Sequence, residues 1–512
     1  MHSRHHRFSF TTRRAFVPVV APASAPAFAP CPLLSRPARR LPSQPKRSKR
    51  VSVSTPLCAQ SSVSSAPVPV RDTERPPQYD VVVIGAGPAG LSLASALAKR
   101  RLRVFCADAR LHERWPNNYG TWLDELQPLG LQDCVSHVWQ RTAAFVRADG
   151  KKSSLPRAYV RVDRDKLKER FLNNCAHSGN VTLAPTAVQH LQLDRPDLNF
   201  VHLQAPTDNG ADIVAARLVV DATGHSLTFV NVPDGATPGY QAAYGIECIV
   251  SDKGYPYHSD EMLLMDFRDD HMQTPQDKRQ SNQHPTFIYV MPMDSGKGRH
   301  VFFEETSLVA SPAMDFGVLK ERLHKRLDYY GVKVEQLLEE EFCLIPMGGE
   351  MPNLDQRVVA FGGAAAFVHP ATGYMIARAL KLSEDVADII ADELSQGGQP
   401  DLVSRRIWSR IWNEGRRRQR DFFNFGGEYL QHIDLQTTRD FFAAFFDLPT
   451  QQWADFLSFR MIKPLERLFL GVGVFVRTSN RVRVSLIKDA ITKGRLSLLT
   501  SVLPLYSVDP ET

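Results

Sequence analysis

The sequence predicts an α/β protein: a βαβ unit near residue 80, a mostly antiparallel β insertion, and a helical C-terminal region. Three observations lead there. Residues 79–108 read YDVVVIGAGPAGLSLASALAKRRLRVFCAD, a strand, a glycine-rich turn, a helix and a second strand in immediate succession. From Tyr240 to Leu308 the pattern is strand-rich, with apolar and polar residues alternating in Thr286–Met291 and His300–Glu304. From Ser383 onward helical patterns dominate.

The first unit carries its own chemistry. The apolar run 80–84 enters Gly85-x-Gly87-x-x-Gly90, and Pro88 opens the helix, where a missing N–H is harmless. Gly85 permits the tight turn, Gly87 lets backbone approach a pyrophosphate, and Gly90 lets helix and strand pack closely. Pro88 and Ala89 lie at the helix N-terminus, whose free N–H groups and dipole favour an anion. Asp108 ends the second strand 23 positions after Gly85 and is placed to accept from a ribose hydroxyl. The order of parts predicts a bound dinucleotide.

Further elements follow. A helix is expected over 166–175, strands within 181–194, and a strand 217–220 delivering Asp221-Ala222-Thr223-Gly224. A helix is expected over 316–330, and a strand 358–361 running into Gly362-Gly363, then His369-Pro-Ala-Thr-Gly373-Tyr374. Asp221, Gly224, Gly362, Gly363 and Gly373 are candidates for meeting the same dinucleotide. The expected organisation is leader and linker 1–70, dinucleotide-binding segments 79–235 and 346–395, substrate-domain strands 236–345, and helices 396–512. No internal repeat is present.

Charge is unevenly spread. Residues 1–71 hold 12 Lys and Arg and no acid, leaving 50 Lys and Arg against 55 Asp and Glu in the remainder. The body is therefore mildly acidic, which argues against nucleic-acid binding. The acid-free, Ser/Pro/Arg-rich head reads as an organelle transit peptide, plastid rather than mitochondrial because prolines interrupt any amphipathic helix. The seven cysteines are scattered without a CxxC pair, so neither a zinc site nor a disulfide framework is expected, and no metal is predicted. The longest strongly apolar run, Leu468–Val476, is far short of the about 20 residues a membrane span needs.

Eight motifs then converge. GAGPAG at 85–90, WPNNYG at 115–120, DATG at 221–224, PGYQAAYGIE at 238–247, FFEETSL at 302–308, IPMGG at 345–349, HPATGY at 369–374 and DFFAAFFDLP at 440–449 resemble the plastid-type lycopene cyclases. The resemblance implies the FAD-binding Rossmann-like fold of aromatic hydroxylases and geranylgeranyl reductases. It also implies reduced FAD, with NAD(P)H as reductant, and a lycopene or monocyclic carotene substrate taken up at a membrane periphery in plastids. The implied chemistry is isomerisation. An acid protonates a terminal double bond, an internal double bond closes the ring, and the ring cation loses a proton. WPNNYG, TSLVA, IPMGG and FFAAFFDL look β-type, and FFEET, HPATGY and AFGGAA look ε-type; the β ring is preferred. Hydroxylases of this fold carry Gly-Asp where this chain has Gly362-Gly363-Ala364-Ala365, which favours a cyclase over an oxygen-activating enzyme. The alternatives are an ε-cyclase, a flavin monooxygenase or prenyl reductase, and a carotenoid-binding protein that keeps FAD structurally.

Candidate site residues are read against that chemistry. Protonating an unactivated alkene needs a carboxyl kept neutral in a dry pocket. Glu304-Glu305 is the candidate pair, with strand geometry turning the two to opposite faces; Glu305 is slightly favoured, and a salt-bridged edge is the plain alternative. Trp115, Tyr119, Phe302, Phe303 and Tyr374 offer ring faces to a cation, or simply pack. Asn117 and Asn118 bond a flavin or cap a loop. His369 is either a catalytic group or a satisfied core histidine. Phe441, Phe442, Phe445 and Phe446 share one helix face, for a bilayer or for the core.

Overall fold

A computed structural model of the chain describes residues 78–504, apart from 208–209, 236 and 295–298. The acid-free head, with Cys31 and Cys58, lies outside the described residues.

The glycine-rich unit sits at the centre of a largely parallel sheet. Strand Tyr79–Ile84 is flanked by Val104–Ala107 on one side and Ile213–Asp221 on the other, both parallel to it. Val181–Ala184 extends one edge and Val359–Ala360 pairs with Ile213–Asp221. Asn199–Leu203 and Val188–Gln192 complete the other edge antiparallel. Val81, Val82 and Val83 are fully buried, as the strands of a parallel sheet covered on both faces are. Helix Pro88–Lys99 packs along helix Ile376–Gln396 on one face. Register pairs Ile84 with both Ala107 and Asp221, so the glycine turn, Asp108 and the 221–224 turn all emerge at the carboxyl ends of adjacent strands. Ligands of open α/β sheets bind at that edge.

A second sheet has the order 334–347, 239–250, 299–307, 286–294, 261–266, 141–145, 153–155. The last two strands come from within 79–235, so the chain crosses into this sheet earlier than the sequence boundary at 235 implies. Helix Phe316–Tyr330, capped by the Asp315 carboxylate on Gly317 N–H, lays Leu319, Leu323 and Leu327 on one face. The alternation read in the sequence sets the facing. Val301, Phe303 and Glu305 turn toward this helix side, and Phe302, Glu304 and Thr306 line a cavity on the other. A small third sheet (120–122, 159–162, 135–139) lies beside it.

Of seven helices from Pro400 to Val502, the first packs on the parallel sheet and the six from Glu414 onward roof the cavity side. Each of three carries a capping side chain: Asn413 on Arg416 N–H, Asp434 on Thr437 N–H, and Ser479 on Val482 N–H. No helix among the described residues is long and apolar enough to cross a membrane. Among the described residues the five cysteines are free and buried, and no cluster of metal-ligating side chains forms.

Candidate active site

The dinucleotide end is assembled by close backbone approach. Gly85 has φ +105°, and a Cβ there would lie 2.6 Å from Ala222 O; a Cβ on Gly90 would lie 1.9 Å from Gly85 O. Neither position tolerates a side chain. Gly87 is different: its missing Cβ faces open space, which is what a ligand needs rather than what packing needs. Asp108 Oδ2 accepts from Ala86 N–H at 2.7 Å and Oδ1 from Arg110 N–H, so the carboxylate ties the second strand to the glycine turn. Gly224 borders the cavity, as do Pro88 and Gly363. Gly362, with φ +70°, packs onto Ala89, and Gly363 packs onto Gly224. The three loops therefore meet at one place.

Two residues expected there do other work. The fully buried Asp221 carboxylate accepts from Thr223 N–H, Thr223 Oγ1 and Phe229 N–H, so it folds its own turn and faces no ligand space. Trp115 Nε1–H donates to Ala86 O at 3.0 Å and braces the glycine turn; it does not line the cavity expected to hold substrate. Gly373, with φ +75°, turns the chain on the cavity wall against Gln241 and Ile345 rather than beside the glycine turn.

A cavity of about 730 Å³ runs from Pro88, Gly224 and Gly363 across the second sheet to the last helices. That volume lies within the usual range for cofactor and ligand sites, about 300–1,000 Å³. Its walls are mainly apolar. Asn117, Asn118, Tyr119 and Tyr374 all reach it, as expected. Tyr374 OH pairs with Tyr159 OH at 3.2 Å, and Tyr289 OH donates to Tyr159 OH at 3.3 Å, a phenol chain on the wall that the sequence did not reveal. Phe441, Phe442, Phe445 and Phe446 line the same cavity, so that aromatic face points inward rather than toward a bilayer.

The two glutamates separate completely. Glu305 is fully buried under helix Phe316–Tyr330, where Arg326 Nε and Nη2 donate to its two oxygens at 2.9 and 3.0 Å and Thr286 Oγ1 donates at 2.6 Å. All of its bonding is spent on the scaffold. The geometry reverses the preference for Glu305: Glu304, not Glu305, reaches the cavity. Phe303 follows Glu305 into the core, leaving Phe302 on the wall. Glu304 is half-buried and borders the cavity. Burial and the negative charge of Glu341 push its carboxyl up to about 8.

Glu341 is the site residue the sequence hid. Gly245 on strand Gly239–Val250 pairs with Glu304 on one side and with Glu341 on the other. Residues paired across a sheet share a face, so both carboxyls stand on the cavity face with only a glycine between them. Burial pushes Glu341 up to about 7, against the pull of the Asn118 N–H and Arg164. Its sequence context, Glu339-Glu340-Glu341, reads as a solvated charge run; only the long-range register singles out the third.

His369 resolves to the plain alternative. It is fully buried, stacked 4.2 Å from Phe423, with Nε2–H donating to Phe456 O and Nδ1 accepting from Ala371 N–H. Burial lowers it to about 3, so it stays neutral, and it lies outside the cavity lining.

Comparison with known proteins agrees with this architecture. The lycopene cyclase protein family model matches residues 80–484. A chloroplastic lycopene beta cyclase of Arabidopsis thaliana is 39% identical over 440 residues, covering 84% of this chain and 83% of that one. A chromoplastic capsanthin/capsorubin synthase of Citrus sinensis is 40% identical over 428 residues, covering 82% and 81%. Among solved structures, a geranylgeranyl bacteriochlorophyll reductase-like protein of Thermoplasma acidophilum shares the fold at TM-score 0.56 and 14% identity, covering 83% of this chain and 99% of that one. A p-nitrophenol 4-monooxygenase of Pseudomonas putida does so at 0.52 and 15%, covering 75% and 98%. With a family model spanning most of its length and relatives near 40% identity across it, the chain belongs to the lycopene cyclase family.

Proposed function

We propose that the protein is a plastid lycopene β-cyclase that closes β rings on the ends of lycopene or a monocyclic carotene by acid catalysis. One observation carries the reading: Glu304, a carboxyl favoured in its neutral form, faces an aromatic-lined apolar cavity that begins at the glycine turn. Glu304 delivers its proton to the terminal double bond. The internal double bond then attacks the tertiary cation. Ring faces such as Phe302 and Tyr374 stabilise the cation through their electron-rich centres. The apolar walls keep water from quenching it. The step is an isomerisation with no net electron transfer. The β ring is preferred over ε because the Arabidopsis relative is named a β-cyclase. The 40% identity to a capsanthin/capsorubin synthase makes related carotenoids the competing substrates.

FAD fits the residues present. The open space at Gly87 and the Ala89 and Gly90 N–H groups at a helix N-terminus suit a pyrophosphate, and Asp108 retains acceptor capacity for a ribose hydroxyl. Gly362 and Gly363 bring backbone to the flavin side. A reduced flavin there, with NAD(P)H as the reductant, would supply an electron-rich ring at the inner end of the cavity.

The substrate reaches the cavity from a membrane surface. Val472, Ile487 and Leu499 both line the cavity and are about half exposed. Around them Phe469, Val484, Ile491 and Leu496 are 61–76% exposed on the three helices from Pro464 to Val502. Grouped on three helices that touch one another, such apolar exposure marks an interaction surface. Residues 464–503 carry seven Lys and Arg against two acids in an otherwise acidic body, a match for anionic headgroups. This surface replaces the Phe441–Phe446 face as the docking site.

The test is product analysis in cells that accumulate lycopene. Formation of β rings by the intact chain, lost in Glu304→Gln, supports the reading. Unchanged lycopene would overturn it, ε rings would correct the ring type, and turnover restricted to oxygenated carotenoids would move it to the synthase branch.

A further inference from the structure

We propose that Glu341 is the base that takes the proton from the ring cation, with Glu304 as the acid that starts the reaction. The inference rests on the cyclase reading above and adds the second half of the proton cycle. Its basis is the row across the sheet. Glu341, Gly245, Glu304 and Tyr289 are consecutive cross-strand partners, and all but the glycine line the cavity. Adjacent strands are about 4.8 Å apart, so the two carboxyl-bearing backbones are separated by two such steps. The Phe302 ring covers the glycine between them, where a Cβ would lie 2.6 Å from it.

The two carboxyls have unequal surroundings. Glu341 receives the Asn118 N–H on both oxygens, at 3.2 Å each. Asn118 is itself fixed by Arg161 Nε on its Oδ1 at 2.8 Å, and Arg161 and Arg164 both add positive charge on this side. Glu339 opposes them but is bonded by Arg164. Glu304 faces phenols, Tyr159 and Tyr289, and the Cys343 thiol, all of them neutral groups whose ionisation burial resists. The anion therefore resides on Glu341 and the proton on Glu304. Paired groups whose environments push them apart divide into acid and base.

The proton count closes. Glu304 O–H protonates the terminal alkene carbon and becomes a carboxylate. The internal π pair forms the ring C–C bond. A ring C–H proton passes to the Glu341 carboxylate, and the C–H electron pair becomes the ring double bond. Proton return from Glu341 to Glu304 restores the start. Because the carbon that loses its proton decides the ring type, the position of Glu341 is also a determinant of β against ε.

The experiment compares wild type, Glu341→Gln and Glu341→Asp with lycopene, each checked for bound flavin and a cooperative unfolding transition. Product rings and a pH profile are read together. In Glu341→Gln, cyclisation should fall by roughly 10²–10⁴-fold, and residual product should be enriched in rings with a displaced double bond. The alkaline limb, which reports loss of the Glu304 proton, should move to lower pH because the neighbouring negative charge is gone. Glu341→Asp keeps that charge and should leave the limb nearly in place while slowing turnover. A folded, flavin-bound Glu341→Gln with unchanged limb and unchanged ring type refutes the proposal while leaving the cyclase reading intact. Failure of wild type to form any ring refutes both. If Glu341→Gln does not fold, Glu341→Asp decides: normal rate and ring type there refute the proposal.

Discussion

Replacing the two adjacent glutamates one at a time should dissociate catalysis from stability. Glu305→Gln breaks a fully buried ion pair and leaves Arg326, 1% exposed, without its counter-charge. Removing one partner of such a pair destabilises by about 3–5 kcal/mol, with glutamine's remaining oxygen recovering part of it. Glu304→Gln has the opposite signature. The Glu304 carboxyl is raised from 4.5 to about 8, so the unfolded chain ionises first as pH climbs, and the folded state loses stability progressively across that window. Glutamine does not ionise and escapes this loss, so the Glu304→Gln protein should be at least as stable as wild type near pH 8. Its cyclisation should nevertheless drop roughly 10²–10⁴-fold, the scale of a positioned proton donor. The assay pairs urea denaturation at pH 6 and pH 8 with ring formation from lycopene. Cyclisation within a few-fold of wild type in a folded Glu304→Gln protein would refute the assignment. So would a Glu305→Gln protein that keeps full stability but loses turnover.

Gly87→Val should fold, since φ there is −69°, yet lose flavin because the new side chain occupies the open space at the helix N-terminus; flavin absorbance after purification checks it. The double change Ile491→Asp/Leu496→Asp should abolish flotation with anionic vesicles, since each exposed apolar side chain contributes roughly 1.5–3 kcal/mol when buried; retained binding would move the docking surface elsewhere. A chain starting at Val70 should keep full activity, and a reporter carrying residues 1–75 should enter plastids; a cytosolic reporter would remove the targeting reading.

Local chemistry was legible in the sequence, and long-range register was not. The glycine turn was readable because Gly85 and Gly90 answer to contacts within a few residues or one strand away. The helix at 316–330 was placed to the residue because its period and cap are local. Alternation foretold that Glu304 and Glu305 diverge, but the side of the sheet facing the cavity depends on where helix Phe316–Tyr330 docks. Asp221 and Trp115 stand beside the dinucleotide loops in sequence motifs, yet their polar atoms are spent on backbone of those loops. Glu341 was invisible because its partner Glu304 lies 37 positions away and meets it only through Gly245. Strands Arg141–Phe145 and Ser153–Leu155 are too short to announce which sheet they join.

The route of the cavity has a consequence for how two-ended molecules are handled. One end abuts the glycine turn, and the other emerges among Val472, Ile487 and Leu499. With a dinucleotide seated at the turn, the passage is a blind channel. On the proposed route a linear polyene inserts head-first and presents one terminus to Glu304. On the proposed entry from a membrane surface, finishing the second terminus demands withdrawal, reversal, and a second insertion. One-ring product should therefore accumulate in the lipid before two-ring product, and thinning the supply of membrane should slow the second closure more than the first.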